Sequence, residues 1–210
     1  MFKTRNRKYC VSAGIIVFAI SILSVFVYAI MPKGKIVVLQ ETDELFRIVK
    51  DGDIICRLGD RFWSQYFKDV SITDKRYSHV GIIRINNGLI TVIHAEGTTE
   101  PGKDFVKEES FEDFLKIAKT IGVYRAKNID GNQISNLAMK YIDAPFDWEF
   151  DMRDESRLYC TELLYVILKS ITPALKLKTT YVKLLGQDII PLEAISDSEY
   201  FSEIYLKGAL

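Results

Sequence analysis

The segment from Ser78 to Glu96 constrains the fold more than any other part of the chain. Ser78-His79-Val80-Gly81-Ile82-Ile83-Arg84-Ile85 and Leu89-Ile90-Thr91-Val92-Ile93-His94-Ala95-Glu96 are β-prone runs that meet across Asn86-Asn87-Gly88. Asn-Gly supplies the positive φ angles of a two-residue turn, so the segment predicts an antiparallel hairpin. With Asn87-Gly88 at the turn, Asn86 faces Leu89, Ile83 faces Val92, Gly81 faces His94 and His79 faces Glu96. His79, His94 and Glu96 then share one face, with His94 diagonal to His79 at roughly 7–8 Å between backbones. Gly81 has no side chain to hold the two imidazoles apart. A slip of one residue would send His94 to the opposite face. These are the chain's only two histidines.

Downstream, Cys160 opens the apolar run Tyr159-Cys160-Thr161-Glu162-Leu163-Leu164-Tyr165-Val166-Ile167-Leu168, which predicts a helix starting at the cysteine. Asp51-Gly52-Asp53 reads as a turn opening a strand at Ile54 to Leu58. Phe62 to Phe67 is aromatic and helix-compatible, and residues 68–76 are polar and loop-like. Thr98 to Lys107 reads as a polar loop bordering a cleft, and Ser110 to Lys119 as a helix capped by Ser110 with Asp113 completing a capping-box-like pattern. A short strand at Gly122 to Arg125, an amphipathic helix from Asp130 to Tyr141 and an aromatic, acidic loop from Ala144 to Phe150 precede the cysteine helix. The tail from Thr179 to Tyr205 holds strand-like pieces interrupted by Gly186 and Pro191.

The first 33 residues have a different character. Lys3, Arg5, Arg7 and Lys8 precede an uncharged apolar run from Tyr9 to Ile30, and Pro32, Lys33 and Lys35 follow it. Crossing a bilayer takes about 20 apolar residues, whereas the h-regions of cleaved signals are about 7–15 long. Residues 1–33 are therefore expected to form a retained single-pass membrane anchor, with a signal cleaved near Val27-Tyr28-Ala29 as the alternative, and residues 34–210 one domain. The stronger basic cluster lies before the apolar run, which puts that domain on the extracytoplasmic side of the cell membrane.

Composition closes off several function classes. Lys+Arg and Asp+Glu number 28 each, so no global field draws the protein to nucleic acid. Cys10 stands before the apolar run, not after it as a lipobox requires. Three cysteines without a CxxC spacing make no disulfide framework, and Cys56, alternating with Ile54 and Leu58, reads as a small buried hydrophobe. The two histidines, with no HExxH and no paired cysteines, match no zinc motif, and there is no Gly-rich phosphate loop. Neither a metal nor a cofactor is expected.

What remains is thiol chemistry. A cysteine hydrolase needs a thiolate, an imidazole to take and return a proton, and a third polar group to orient that imidazole. The candidates are Cys160, His79 and His94, with Glu96 as the rival orienter from the pairing geometry. The positive end of a helix and a neighbouring imidazole are expected to lower the Cys160 pKa. Each residue also has a plain structural reading, since a cysteine on a helix and a histidine in a strand are commonly packed core residues. Of the flanking residues, Tyr159 is either a phenolic donor to the reacting carbonyl or packing, Asp147 a loop cap, and Trp148 a cleft wall or a buried ring.

Asp53-Ile54-Ile55, Ser78-His79-Val80-Gly81-Ile82, Val92-Ile93-His94-Ala95, Tyr141-x-x-x-x-Phe146-Asp147 and Tyr159-Cys160-Thr161-Glu162-Leu163, in this order, resemble the circularly permuted NlpC-type papain-like hydrolases, the YiiX/YaeF-like group in particular. The resemblance spans about Gly52 to Phe201. It implies an α+β, circularly permuted papain-like domain in which an antiparallel sheet packs against the cysteine helix, here after an N-terminal transmembrane helix. It also implies Cys160 as nucleophile, His79 as general base and His94 as the third polar residue, at a position where such proteins often hold glutamate. The expected function is a membrane-anchored cysteine hydrolase that cleaves an amide or ester through a thioester, with an acyl-lipid or N-acyl substrate favoured. Alternatives are a peptidoglycan peptide substrate and a non-catalytic membrane-attached binding domain.

Overall fold

Six short strands, five of them from alternating or largely apolar runs, pair into one antiparallel sheet. They are β1 (Ile54–Leu58), β2 (His79–Asn86), β3 (Leu89–Glu96), β4 (Phe105–Ser110), β5 (Thr120–Ala126) and β8 (Phe201–Gly208), in the spatial order β4-β3-β2-β1-β5-β8. The remaining elements are α1 (Phe62–Val70), α2 (Phe111–Lys116), α3 (Gly131–Ala138) with a 3₁₀ turn at Met139–Tyr141, α4 (Cys160–Ile171), a small hairpin of β6 (Thr180–Val182) and β7 (Gln187–Ile189), and α5 (Glu193–Ser196). This computed structural model describes residues 44–60, 62–98, 100, 102–196 and 199–208, without the side chains of Phe62 and Trp63. Contacts divide the chain into residues 1–47 and a second unit, Ile48–Leu210, which carries the architecture above. The expected anchor from Tyr9 to Ile30 lies outside the described residues, and among the described residues no helix is long and apolar enough to cross a membrane.

The central hairpin has the register its sequence predicts. Asn86 pairs with Leu89, Ile83 with Val92 and Ile82 with Ile93. Asn87 and Gly88 take φ of 50° and 80°, the left-handed values such a turn demands. Alternation then splits the sheet's two faces. Ile54, Cys56, Val80, Ile82, Ile93 and Ala95 share a core with Leu163, Leu164, Ile167 and Leu168 of α4, so the cysteine helix packs on this face as expected. On the other face, Arg57, His79 and His94 meet Phe114 of α2.

Two elements differ most from their sequence reading; lesser departures are α1 running on to Val70 through residues read as loop and the helical turn α5 in a tail read as strand-like. Residues read as the end of a polar loop form β4, which pairs with β3 from Thr91–Ser110 through Glu96–Phe105. Its outer side is covered by residues 143–146: Val106 N–H donates to the Ala144 carbonyl at 2.8 Å and Asp143 N–H to that of Val106 at 2.9 Å. Hydrogen bonding on both sides makes a strand of a charged segment with no strand-like pattern. Helix α2 ends at Lys116, short of the expected Lys119, because Lys119 N–H bonds to the Leu58 carbonyl at 2.8 Å and starts the turn into β5. Its predicted cap is present: the Ser110 hydroxyl oxygen accepts the Asp113 N–H at 3.1 Å.

Candidate active site

Cys160 is the first residue of α4 and half-buried, and the backbone N–H groups of Val80, Thr161 and Cys160 itself favour its ionised form. The helix starts here because Tyr159 has extended backbone and its N–H donates to Glu162 Oε2 at 3.3 Å. Cys160 and His79 line the same cavity, of about 150 Å³, at the end of the sheet. Its walls are chiefly apolar, with Phe67, Phe146, Trp148, Phe150, Ile190 and Leu192 among them.

His79 and His94 meet as the hairpin register predicts. His79 Nε2 lies 2.8 Å from His94 Nδ1, and the rings stand edge to face with centroids 5.0 Å apart. Gly81 makes this possible. A Cβ there would lie 2.4 Å from Val92 Cγ1 and 3.2 Å from His94 Cβ. His94 is fully buried, and burial holds its pKa below the usual histidine value despite the nearby Glu109 carboxylate.

Two members of the site escaped the sequence reading. Glu109 of β4 places Oε1 3.0 Å from His94 Nε2, off the axis of a well-aligned hydrogen bond. Burial opposes ionisation of Glu109, but His94, Lys107 and Arg57 outweigh it and hold its pKa down at about 2. Arg57 of β1 stands opposite His79 in the ladder and is buried over the Phe114 ring, 4.0 Å from its centroid. It donates to the Phe114 carbonyl at 2.7 Å and lies 3.7 Å from both Glu96 and Glu109. Alternation with Cys56 places Arg57 on the face opposite the core, but its burial between two acids depends on strands distant in the chain. Nothing local marked Glu109, because its strand is created by pairing.

The rival orienter, Glu96, forms ion pairs with Arg57 and Lys107. The thiol also departs from expectation. Burial pushes Cys160 up to about 11, and the surrounding N–H groups and the Arg57 charge only partly offset this. Desolvation outweighs the helix end, so the resting sulfur is a thiol at neutral pH.

The flanking residues sort plainly. Asp147 accepts the N–H groups of Glu149 at 2.9 Å and Asp151 at 2.6 Å, a loop cap as the sequence predicts. Trp148 lines the cavity, packs at a tilt against Phe146 with ring centroids 4.9 Å apart and donates to Asp104. The Tyr159 hydroxyl accepts the Ile190 N–H at 3.1 Å, which fixes the ring as part of the cavity wall. Asp53 of the Asp-Ile-Ile motif is structural: it accepts Arg125 Nε at 2.7 Å and joins the start of β1 to β5. Cys56 is buried, and both it and Cys160 are free thiols.

Residues of metal-binding type also cluster here. One ligand atom each from His94, Glu96 and Glu109 lies within 4.8 Å of the others. The cluster contains its own cations, however: Lys107 contacts Glu96 and lies 3.3 Å from Glu109, and Arg57 flanks both carboxylates. A divalent ion would have to displace Lys107 and tolerate Arg57. The donor set does not fit a resident metal.

Histidine-bearing strands followed in sequence by a cysteine helix packed on their sheet define a permuted papain-like cysteine hydrolase. The chain belongs to the permuted papain-like amidase enzymes of the YaeF/YiiX, C92 family, whose model matches residues 31–200. Among solved structures, the fold is similar to that of metalloprotein YiiX from Escherichia coli O157:H7, with a TM-score of 0.63 at 15% identity over 77% of this chain and 99% of that one. No curated protein matches the chain.

Proposed function

We propose that the protein is a thiol amidase or esterase in which Cys160 is the nucleophile, His79 the general base and His94 the residue that orients it. The observation that carries this reading is the shared cavity, into which a helix-terminal cysteine and a histidine paired to a second histidine both open. His79 Nε2 is committed to His94, so Nδ1 is the atom that serves the sulfur. With the thiol pKa at about 11, proton transfer accompanies attack and does not precede it. The S–H proton passes to His79 Nδ1 as sulfur bonds to the substrate carbonyl carbon. The oxyanion takes the Cys160 N–H, and collapse expels the amine or alcohol with the proton from His79. Water then attacks the thioester, giving its proton to His79 and releasing the acid and the thiol.

The aromatic and aliphatic wall favours an acyl chain, hence an N-acyl or acyl-lipid substrate. An anchor at Tyr9 to Ile30, with residues 34–210 on the extracytoplasmic face, would hold the cavity near such lipids. The likeness to a metalloprotein adds no metal step to this reading, because Lys107 and Arg57 already neutralise the acidic cluster. The test is to incubate the full chain in detergent with N-acyl amides of increasing chain length and with murein peptides, and to weigh the protein by mass spectrometry for acyl-Cys160. Amine release with a trapped acyl group, both lost in Cys160→Ser, is expected. Turnover of murein peptides alone would establish the alternative substrate, and absence of both turnover and adduct would leave a binding domain.

A further inference from the structure

The proton shared by the two histidines has two possible homes, and only one leaves His79 able to act. If His79 Nε2 carries it and donates to His94 Nδ1, then His79 Nδ1 is bare and can accept the thiol proton. If His94 Nδ1 carries it, His79 holds its own proton on Nδ1 and cannot serve as base. Neutral imidazole carries one N–H, so the choice also decides what His94 presents on Nε2. In the first arrangement Nε2 carries its N–H on the side of the Glu109 carboxylate, whose Oε1 lies 3.0 Å away though off the N–H axis; in the second two acceptors sit at that separation inside a buried site. Two facing acceptors repel, and low polarity magnifies the penalty.

We propose that Glu109 is a positioning residue: it selects the His94 tautomer that keeps the base nitrogen of His79 unprotonated. This rests on the thiol-hydrolase reading above. The groups facing Glu109 fit the role, with Arg57 at 3.7 Å and Lys107 at 3.3 Å keeping it anionic while Glu96 shares the same two cations. The negative charge that a carboxylate places directly beside the base in other triads sits here one imidazole further out. It also stabilises the His79 imidazolium formed during attack, through the His94 ring. The poor alignment of the His94–Glu109 contact is that of a resting site, which the imidazolium would draw tighter.

The test exploits the presence of only two histidines in the chain. ¹⁵N-histidine NMR of the full chain near pH 8 is expected to give both rings as Nε2–H tautomers. Glu109→Gln, of the same shape but able to donate its amide to a bare Nε2, should shift both toward Nδ1–H. It should also lower kcat by roughly 10- to 100-fold with little change in KM. Glu109→Asp should recover the wild-type tautomers and part of the rate. Nδ1–H signals in the wild type, or unaltered tautomers and kcat in Glu109→Gln, would overturn the proposal. The wild-type spectrum decides even if the variant does not fold. Activity that survives in Cys160→Ser would overturn the hydrolase reading, whatever the tautomers.

Discussion

Around Cys160 two opposing terms meet in one side chain. The helix end, the three N–H groups and Arg57 favour the anion, while burial among apolar residues disfavours it and prevails, leaving the pKa at about 11. A half-exposed thiol at a helix start usually ionises well below 8.5. For this protein we expect the rate of Cys160 alkylation by iodoacetamide, referenced to Cys160→Ser, to rise about tenfold per pH unit from neutral pH, to be half-maximal near pH 11 and to level off only above it. A plateau by pH 7 would mean a preformed thiolate and would refute the concerted proton transfer. The candidate nucleophile was legible in the chain because a cysteine opens a strongly apolar helix. Its ionisation was not, since desolvation depends on which rings close over the sulfur.

Among the elements, the β2–β3 hairpin does most to build the site. Its turn, pairing and alternation are local, which is why residues 78–96 by themselves foretell the meeting of His79 with His94. Gly81 is the weak point in this arrangement. A methyl group there would press Val92 Cγ1 and His94 Cβ. Gly81→Ala should cost about 1–3 kcal/mol in urea unfolding and reduce turnover further by tilting the His94 ring. Full activity at wild-type stability would show that the strands part easily and that the imidazole contact does not depend on the glycine. β4 is the opposite case. Lys107-Glu108-Glu109 has the composition of a solvated loop. It becomes a strand only because β3 on one side and residues 143–146 on the other take up its hydrogen bonds.

Across the whole molecule, distant segments are tied together behind the cavity. The buried Glu193 carboxylate of α5 accepts the N–H groups of Ile72 at 2.7 Å, Thr73 at 2.5 Å and Asp74 at 3.2 Å, and pairs with Lys178 at 3.1 Å. This fastens the chain after α1 to the segment that follows the cavity residues Ile190 and Leu192. Burial opposes its ionisation, yet these donors hold its pKa down at about 2. A depressed folded pKa stabilises above the unfolded value of about 4.3, and that gain is lost as pH falls toward 2. Glu193→Gln should therefore cost about 2 kcal/mol at pH 7, with the gap to wild type closing as urea unfolding is repeated toward pH 2. A gap that stays constant with pH would assign the loss to packing instead of charge.

The hairpin and its register, the cysteine helix and the placing of the two histidines on one face were determined by the amino-acid sequence alone, because each rests on contacts between near neighbours along the chain. Tertiary structure alone decided that Arg57 and Glu109 join the histidines, that Lys107 stands where a cation is needed, and that the thiol is uncharged at rest. Those outcomes depend on charge and solvent exclusion between segments far apart in the chain. Only the closed fold sets such distances.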